Sequence, residues 1–444
     1  MAAPVVISML GHEARAMLSR LAWVKPFALN IPMVAAAGSL DAQGVIEPYL
    51  MDGRNKLRDM VTEYLRWLTG PEGRAAPDSE AQRRFTVLRL RFSVVLTQFD
   101  LFSDVLTQRS EHGFGVWLAG LDVVAADALA LPGRYFEAPP VICYLERGLG
   151  AAIRRARTRL PGGGANPVAI IRVPRERMVG TGIASSLVHE VGHQGSVLLG
   201  LIDSLRPELQ DMQSGRGVER SAWVFWERWI SEILADFWSV AKVGVASTLG
   251  LMGVVSLPRA FVFRVNVDDP HPIPWIRVKL SAAIGAALYP HPQWRRLGRV
   301  WEAYYPKTGL DPDRERILSD LEATLPRFVA LLVNHRPRSL RGKSLMEAFA
   351  VHERQPARLS ALYRTWRHRP GTMRAASPTL AFAVLGQARA DGVLPPGAES
   401  RIIDGLLRHW ALSRALYPAP TGGRTTRRLQ ARSSALQIEA AFTA

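Results

Sequence analysis

Residues Leu187 to Gln194 read L-V-H-E-V-G-H-Q inside an apolar helical pattern. Ile183, Leu187 and Val191 recur four apart, which commits the stretch to a helix with one stripe facing a core. A helix turns about 100° per residue, so His189 and His193 stand one turn apart on the same face. Two imidazoles so placed can hold one Zn²⁺, and Glu190 beside them can take a proton from a water on that ion. The plain alternative is a helix that carries two His and a Glu by chance. Ser185 and Ser186 are small enough to let the helix pack closely. Gly192 costs a helix about 1 kcal/mol relative to Ala, so a glycine between the two histidines implies that something approaches there.

A catalytic zinc wants three protein ligands and one open position. The pattern does not continue to a third histidine, because position 199 is Leu199. Glu232 is the best candidate, in a second strongly helical segment, with Asp236 one turn later on the same face. A carboxylate ligand on one turn and a carboxylate on the next can bind the ion and orient a ligand imidazole together. Glu219 and Glu227 are the fallbacks for the third ligand. For a donor to a developing oxyanion, the candidates are His271 and Arg277, in the stretch D-x-H-P-x-P-x-x-R, with Tyr304 and Tyr305 behind them. Their plain alternative is helix entry and ion pairing.

H-E-x-x-H followed by a helix bearing E-x-x-x-D resembles the gluzincin group of zinc metallopeptidases, the thermolysin-like branch of the zincins. The matching positions are His189, Glu190, His193, Glu232 and Asp236, and the resemblance covers roughly residues 166–245. It implies a zincin-like core with a small sheet and an H-E-x-x-H helix. It also implies zinc ligation by His189, His193 and Glu232, with Glu190 as general base and Asp236 as partner of a ligand histidine. The implied activity is peptide-bond hydrolysis on a protein or peptide substrate. The run Val168 to Val173 would then be a sheet edge along which an extended substrate pairs. The gap between the histidines and Glu232 is longer than in thermolysin itself.

Composition permits this and narrows the alternatives. At 444 residues, 48% hydrophobic and 21% charged, the chain can build two or three domains. Cys143 is the lone cysteine, which excludes an intrachain disulfide framework and a cysteine zinc site. The net charge of +17 permits acidic partners, nucleic acid included, but the basic residues are spread along the chain. The N-terminus lacks the basic start of a signal peptide. The most apolar run, Val243 to Leu257, is short of the ~20 residues needed to span a bilayer and contains three glycines, so no membrane span is expected. These features predict a cytoplasmic location; they do not give an oligomeric state.

Along the chain, the pattern predicts an α+β fold that is predominantly helical. Residues 1–135 form a mostly helical region: an irregular lead-in to residue 45, then helices over 46–68, 80–106 and 117–131. Asp100, Asp104 and Gln108 make a polar line that reads most simply as a solvated helix face. Residues 136–335 form the metallopeptidase-like core, with strands over 140–145 and 167–173. A helix is expected over 146–160 and another over 183–205. A polar connection follows over 207–217, then one long Trp-rich helix over 221–243 whose indoles belong to the core. Residues 336–417 form a C-terminal helical region, and 418–444 a basic, disordered tail. Two other functions fit the same residues: a zincin-fold binding protein without activity, and a basic scaffold or nucleic-acid-associated protein with a fortuitous motif.

Overall fold

Apolar residues at helical spacing organise most of the chain, and the one sheet is small. The computed structural model describes residues 4–23, 35–111, 113–146, 150–161, 163–174, 180, 182–214 and 219–416. The basic tail from residue 418 lies outside them. The first elements are α1 (Pro4–Trp23), α2 (Leu40–Thr69), α3 (Pro71–Ala75), α4 (Asp78–Thr107) and α5 (Phe114–Leu129). Then come β1 (Val141–Glu146), β2 (Ala152–Arg154) and β3 (Ala169–Pro174). The helices α6 (Gly182–Leu198), α7 (Leu201–Gln213), α8 (Arg220–Arg228), α9 (Ile230–Val243), α10 (Val245–Val255) and α11 (Arg259–Val262) follow. The chain continues through α12 (Pro274–Leu288), α13 (Pro292–Tyr304), α14 (Pro312–Asn334) and α15 (Leu345–Ala348). It closes with α16 (Pro356–Trp366), α17 (Pro370–Ala375), α18 (Pro378–Ala390) and α19 (Pro396–Leu416). The predominantly helical α+β class is therefore observed.

The chain divides into two units. One comprises residues 1–119, 156–169 and 411–444; the other comprises 120–155 and 170–410. The expected boundaries near residues 135 and 335 both fall inside the second unit. In the first unit, α1 buries Leu10, Ala14, Met17 and Leu21, and α2 buries Ile46, Leu50, Leu57, Val61 and Leu68. Each set follows the helical period, so each helix presents one stripe to its neighbours.

The second unit is built on α6, α9, α10 and α12. Helix α9 is buried along nearly its whole length, from Ile230 to Val243. Trp223, Trp226, Trp229 and Trp238 are all core residues, as their spacing predicts. Trp226 stacks on Phe328 at 4.7 Å, and its indole N–H donates to Thr324 Oγ1 at 2.9 Å. The sheet has the order β1-β3-β2, with β2 antiparallel to β3 and Ile153 opposite Ile171. No single helix among the described residues is long and apolar enough to cross a membrane.

Several local expectations are corrected. Residues 4–23 are helical rather than irregular, because the stripe from Leu10 to Leu21 outweighs the prolines, which come after it in sequence. Of the expected helix over 146–160, residues 147–149 lie outside the described residues, and in 150–160 the chain forms β2 and one arm of a hairpin closed by a bridge between Arg159 and Ala165. Cross-strand pairing of Ile153 with the buried Ile171 overrides the helical pattern there. The polar connection over 207–217 begins as helix: Leu201, Leu205 and Leu209 bury one face of α7 and carry it through Pro207. The long helix over 221–243 is broken at Trp229, whose backbone leaves helical geometry at φ −88°, ψ 3°. The helix over 183–205 likewise stops at Leu198, and Gly200 at φ +60° turns the chain into α7.

Candidate metal centre

Helix α6 carries the two histidines, and its small residues decide what lies against them. A Cβ added at Gly192 would stand 2.8 Å from Ala235 Cα and 2.8 Å from Trp238 Cβ. One added at Gly195 would run into the Trp238 indole. Helix α9 therefore lies almost backbone to backbone on α6, which is the close approach that Gly192 implied. Ala235 sits three residues after Glu232 and one before Asp236, and a helix rises about 1.5 Å per residue. Docking Ala235 on Gly192 thus delivers both carboxylates to the level of His189 and His193. On another side, a Cβ at Gly250 would overlap Ser185, so the small residue before the histidines lets α10 close in.

The result is a set of facing donors. His189 Nε2 lies 3.2 Å from Glu232 Oε2, and His193 Nε2 lies 3.4 Å from Glu232 Oε1. One ligand atom from each of the three residues falls within 4.8 Å of the other two, the one such set of His, Cys, Asp and Glu among the described residues. Zinc–nitrogen and zinc–oxygen bonds of about 2.1 Å in a tetrahedron put neighbouring ligand atoms about 3.4 Å apart. The two histidine-to-Glu232 separations are close to that value, and one ligand atom of each residue lies within 4.8 Å of the other two. Glu232 Oε2 is buried and no hydrogen-bond donor is aligned with it. His189 Nε2 and His271 Nε2 each lie 3.2 Å from this oxygen and Arg277 Nη2 lies 3.6 Å away, so facing nitrogens surround it, and a cation seated between it and the imidazoles would give it a directed bond. The three residues could hold a metal ion on these grounds.

Behind the donors stands an ion network. His189 Nδ1 lies 2.8 Å from Asp236 Oδ1, an ion-pair distance rather than an aligned hydrogen bond. Arg277 forks onto Asp236, with Nε donating to Oδ2 at 2.7 Å and Nη2 to Oδ1 at 3.0 Å. On the other histidine, Ser231 Oγ lies 3.5 Å from His193 Nδ1. Each imidazole thus turns Nε2 to the shared point and rests Nδ1 against a polar group, the arrangement that orients metal-binding histidines.

The electrostatics follow from burial against charge. Burial pushes the Glu232 carboxyl up, but the facing His189 and the charge of His193 hold it down at about 2. Burial likewise works against the Asp236 carboxylate, and Arg277 and His189 outweigh it, so Asp236 stays well below the usual range. Burial pulls the His189 imidazole down, yet Asp236 and Glu232 raise it to about 9. His193 is pulled down to about 4 by burial and by His189. Burial raises the carboxyl of Glu190, which gives it the greater basicity that proton transfer needs.

The remaining candidates separate cleanly. His271 enters the cleft: its Nε2 lies 3.2 Å from Glu232 Oε2, and Asp269 Oδ1 holds its Nδ1 at 2.8 Å. Arg277 also reaches the site, where its guanidinium forks onto Asp236 and lies 3.6 Å from Glu232 Oε2. Glu227 instead accepts from Gln210 and Gln213, and Glu219 precedes α8, so neither joins the histidines. Tyr304 is 65% exposed, and the Tyr305 hydroxyl donates to the Leu257 carbonyl. Asp100 and Asp104 are exposed, as a solvated face requires. Strand β3 is not an edge, because β1 and β2 flank it. The outer strand β2 takes that place: Ala152, Ile153 and the following Arg155 line an open cleft of about 330 Å³ with His189, Glu190, His193 and Glu232. A second cavity of about 130 Å³ lies towards α10, between Ser185, Ser247, Leu251 and Arg277. Sequence reasoning missed β2 and Arg155, since a three-residue strand has too few residues for alternation to show. Ser231, directly before Glu232, was legible by adjacency alone.

Comparison with known protein families, with characterised proteins and with solved structures yields no match.

Proposed function

We propose that the protein is a zinc-dependent metallopeptidase of the gluzincin kind, with a zincin-like core around α6. The observation that carries this is the convergence of His189, His193 and Glu232, one ligand atom from each within 4.8 Å of the other two, with the buried Glu190 beside them. A zinc ion held by His189, His193 and Glu232 would supply an activated water and a Lewis acid for a carbonyl oxygen. Glu190 accepts the proton of the attacking water and returns it to the leaving amine. Its burial suits that task, and a purely structural site has no use for a buried carboxylate outside the ligand set. His271, half-exposed in the cleft and held by Asp269, is the candidate donor to a developing oxyanion. Arg277 acts as a positioning residue, holding Asp236 and through it the His189 ring. The outer strand β2 offers backbone groups to an extended peptide.

The test is elemental analysis of the purified protein beside His189→Ala, followed by a peptide-library digest beside Glu190→Gln. About one zinc per chain, lost in His189→Ala, is expected. Hydrolysis abolished in Glu190→Gln with zinc retained is the second expectation. No zinc after reconstitution, or full hydrolysis by Glu190→Gln, would overturn the proposal.

A further inference from the structure

The smaller of the two spaces beside the metal donors plays no part in the steps above, and three helices supply much of its wall. Ser247, Leu251 and Val254 follow at spacings of four and three along α10, so one face of that helix closes a side of it. Ser185 on α6 and Ser239 on α9 also line it. Their hydroxyls are engaged: Ser185 Oγ donates to the Gly182 carbonyl at 2.8 Å, and Ser239 Oγ to the Ser185 carbonyl at 3.2 Å. What these walls oppose to a guest is therefore mainly bulk. Gly250, next to Leu251, lies so close to Ser185 that a methyl there would overlap it. Helix α10 is thus seated on α6 at this level, and helix packing fixes the width of the cavity.

The cavity and the open cleft share Ala151, His189, Glu190 and His271, so the two spaces meet at the metal donors. Side chains of an extended peptide alternate in direction. With the cut bond at the metal, only one of the two flanking residues can send its side chain into the cavity. The space is about 130 Å³, and an apolar cavity of about 150 Å³ is known to hold benzene. An isopropyl or isobutyl group fits the smaller volume, and a benzyl group exceeds it.

We infer that this cavity is a size-limited subsite for one residue flanking the cut bond. It admits Ala, Ser, Thr, Val or Leu and turns away Phe, Tyr and Trp, with Leu251 and Val254 setting the limit. This rests on the metallopeptidase reading and names its substrate class, peptides with a small residue at the cut.

The experiment is a mixed peptide library digested by the zinc-loaded protein, with cleavage sites read by mass spectrometry. Wild type, Leu251→Ala and Ser247→Val are compared, with circular dichroism to show that each is folded; Val254→Ala replaces Leu251→Ala if the latter is not. Wild type should favour Val and Leu over Phe and Trp at one flanking position by roughly tenfold or more, since one methylene in a pocket is worth about 10- to 200-fold. Leu251→Ala takes three carbons from the wall and should admit Phe at that same position. Ser247→Val adds bulk and should narrow the choice to Ala and Ser. Cleavage with aromatic residues taken as readily as Val at both positions overturns the subsite and leaves the peptidase reading standing. So does an unchanged preference in the folded wall variants. Cleavage of no peptide by the loaded protein sinks the peptidase reading, and binding then decides on the cavity. Fluorescence anisotropy with zinc-loaded Glu190→Gln protein compares two labelled alanine hexapeptides, one with a central Val and one with a central Phe. The Val peptide should bind about tenfold tighter, and the gap should close when Leu251→Ala is added. Equal binding of the two, or none, overturns the inference.

Discussion

Replacing Gly192 by Ala tests the link between packing and the site most directly. The added methyl would sit 2.8 Å from the Ala235 backbone, whereas ordinary contact begins at 3.4 Å. Ala235 Cα is backbone on a fully buried helix, so it cannot rotate away as a side chain would. The helices α6 and α9 must part locally by about 0.6 Å, the difference between those two distances. Overpacking of this kind costs about 1–3 kcal/mol, and removing a helical glycine returns about 1 kcal/mol. The net loss of stability is therefore about 0–2 kcal/mol, a fall of a few degrees in Tm at most. The effect on the metal is larger in proportion. Ligand distances hold to about 0.2 Å, and Glu232 moves with α9, so zinc affinity should fall by roughly tenfold or more. Circular dichroism melts and competition against a chromophoric chelator measure the two effects separately. Wild-type zinc affinity in a folded Gly192→Ala protein would refute the reasoning, because the histidines and Glu232 would then not depend on this approach.

Asp236→Asn keeps the shape but removes the charge that holds His189 and Arg277. Zinc affinity should drop about 10- to 100-fold, and the metal-free protein should melt lower because the buried Arg277 loses its two-pronged anionic partner and keeps only the 3.6 Å contact with Glu232; chelator competition and calorimetry check both. Stripping zinc with a chelator should lower the Tm of the loaded protein and restoring zinc should return it, since a ligand bound only by the folded state stabilises by mass action. A Tm indifferent to zinc would contradict binding at these residues. Lys242 gives a pH-dependent signature away from the metal. It is buried, its Nζ donates to the carbonyls of Asp127 at 3.2 Å and Ala130 at 2.5 Å, and burial lowers it from 10.5 to about 8. Between those values the unfolded chain holds the Lys242 proton and the folded chain releases it, so this residue adds stability as pH rises. Denaturant titrations should show wild type gaining on Lys242→Met from pH 8 to about 10.5, and a gap that narrows over that range would refute the shift.

The parts of the site that lie on long helices could be read from the sequence. Ile183, Leu187 and Val191 announce α6, and the one-turn spacing of His189 with His193, and of Glu232 with Asp236, survives folding because a helix fixes it. Gly192 even announced the approach of a second helix, though not which one. What could not be read depends on contacts between segments distant in sequence. The fork from Arg277 to Asp236 joins residues on α12 and α9, and nothing local marks Arg277 as a partner of that carboxylate rather than a substrate donor. Strand β2 exists because Ile153 finds Ile171 across the sheet, and for the same reason β3 lost the edge position expected of it. The helix over 4–23 was obscured by prolines that follow it, and α7 by a proline inside it. In both cases buried leucines at helical spacing outweighed the breaker.

The distribution of residues between helices and chain ends separates two properties of the site. The ligand histidines, Glu232, Asp236 and Arg277 lie on α6, α9 and α12, helices packed into one core, where a shift of one side chain strains its neighbours. Donor geometry is therefore held by the same packing that holds the fold, and changes there cost stability and metal together. Arg155 and His271 sit instead just outside regular elements, at the end of β2 and in the turn before α12. His271 is steadied by a carboxylate only two residues away, so its placement is a property of its own turn. Groups on such positions can be exchanged at little cost to the core, which is why recognition tends to reside there. A substitution at Asp236 should thus weaken zinc binding and lower the stability of the fold together.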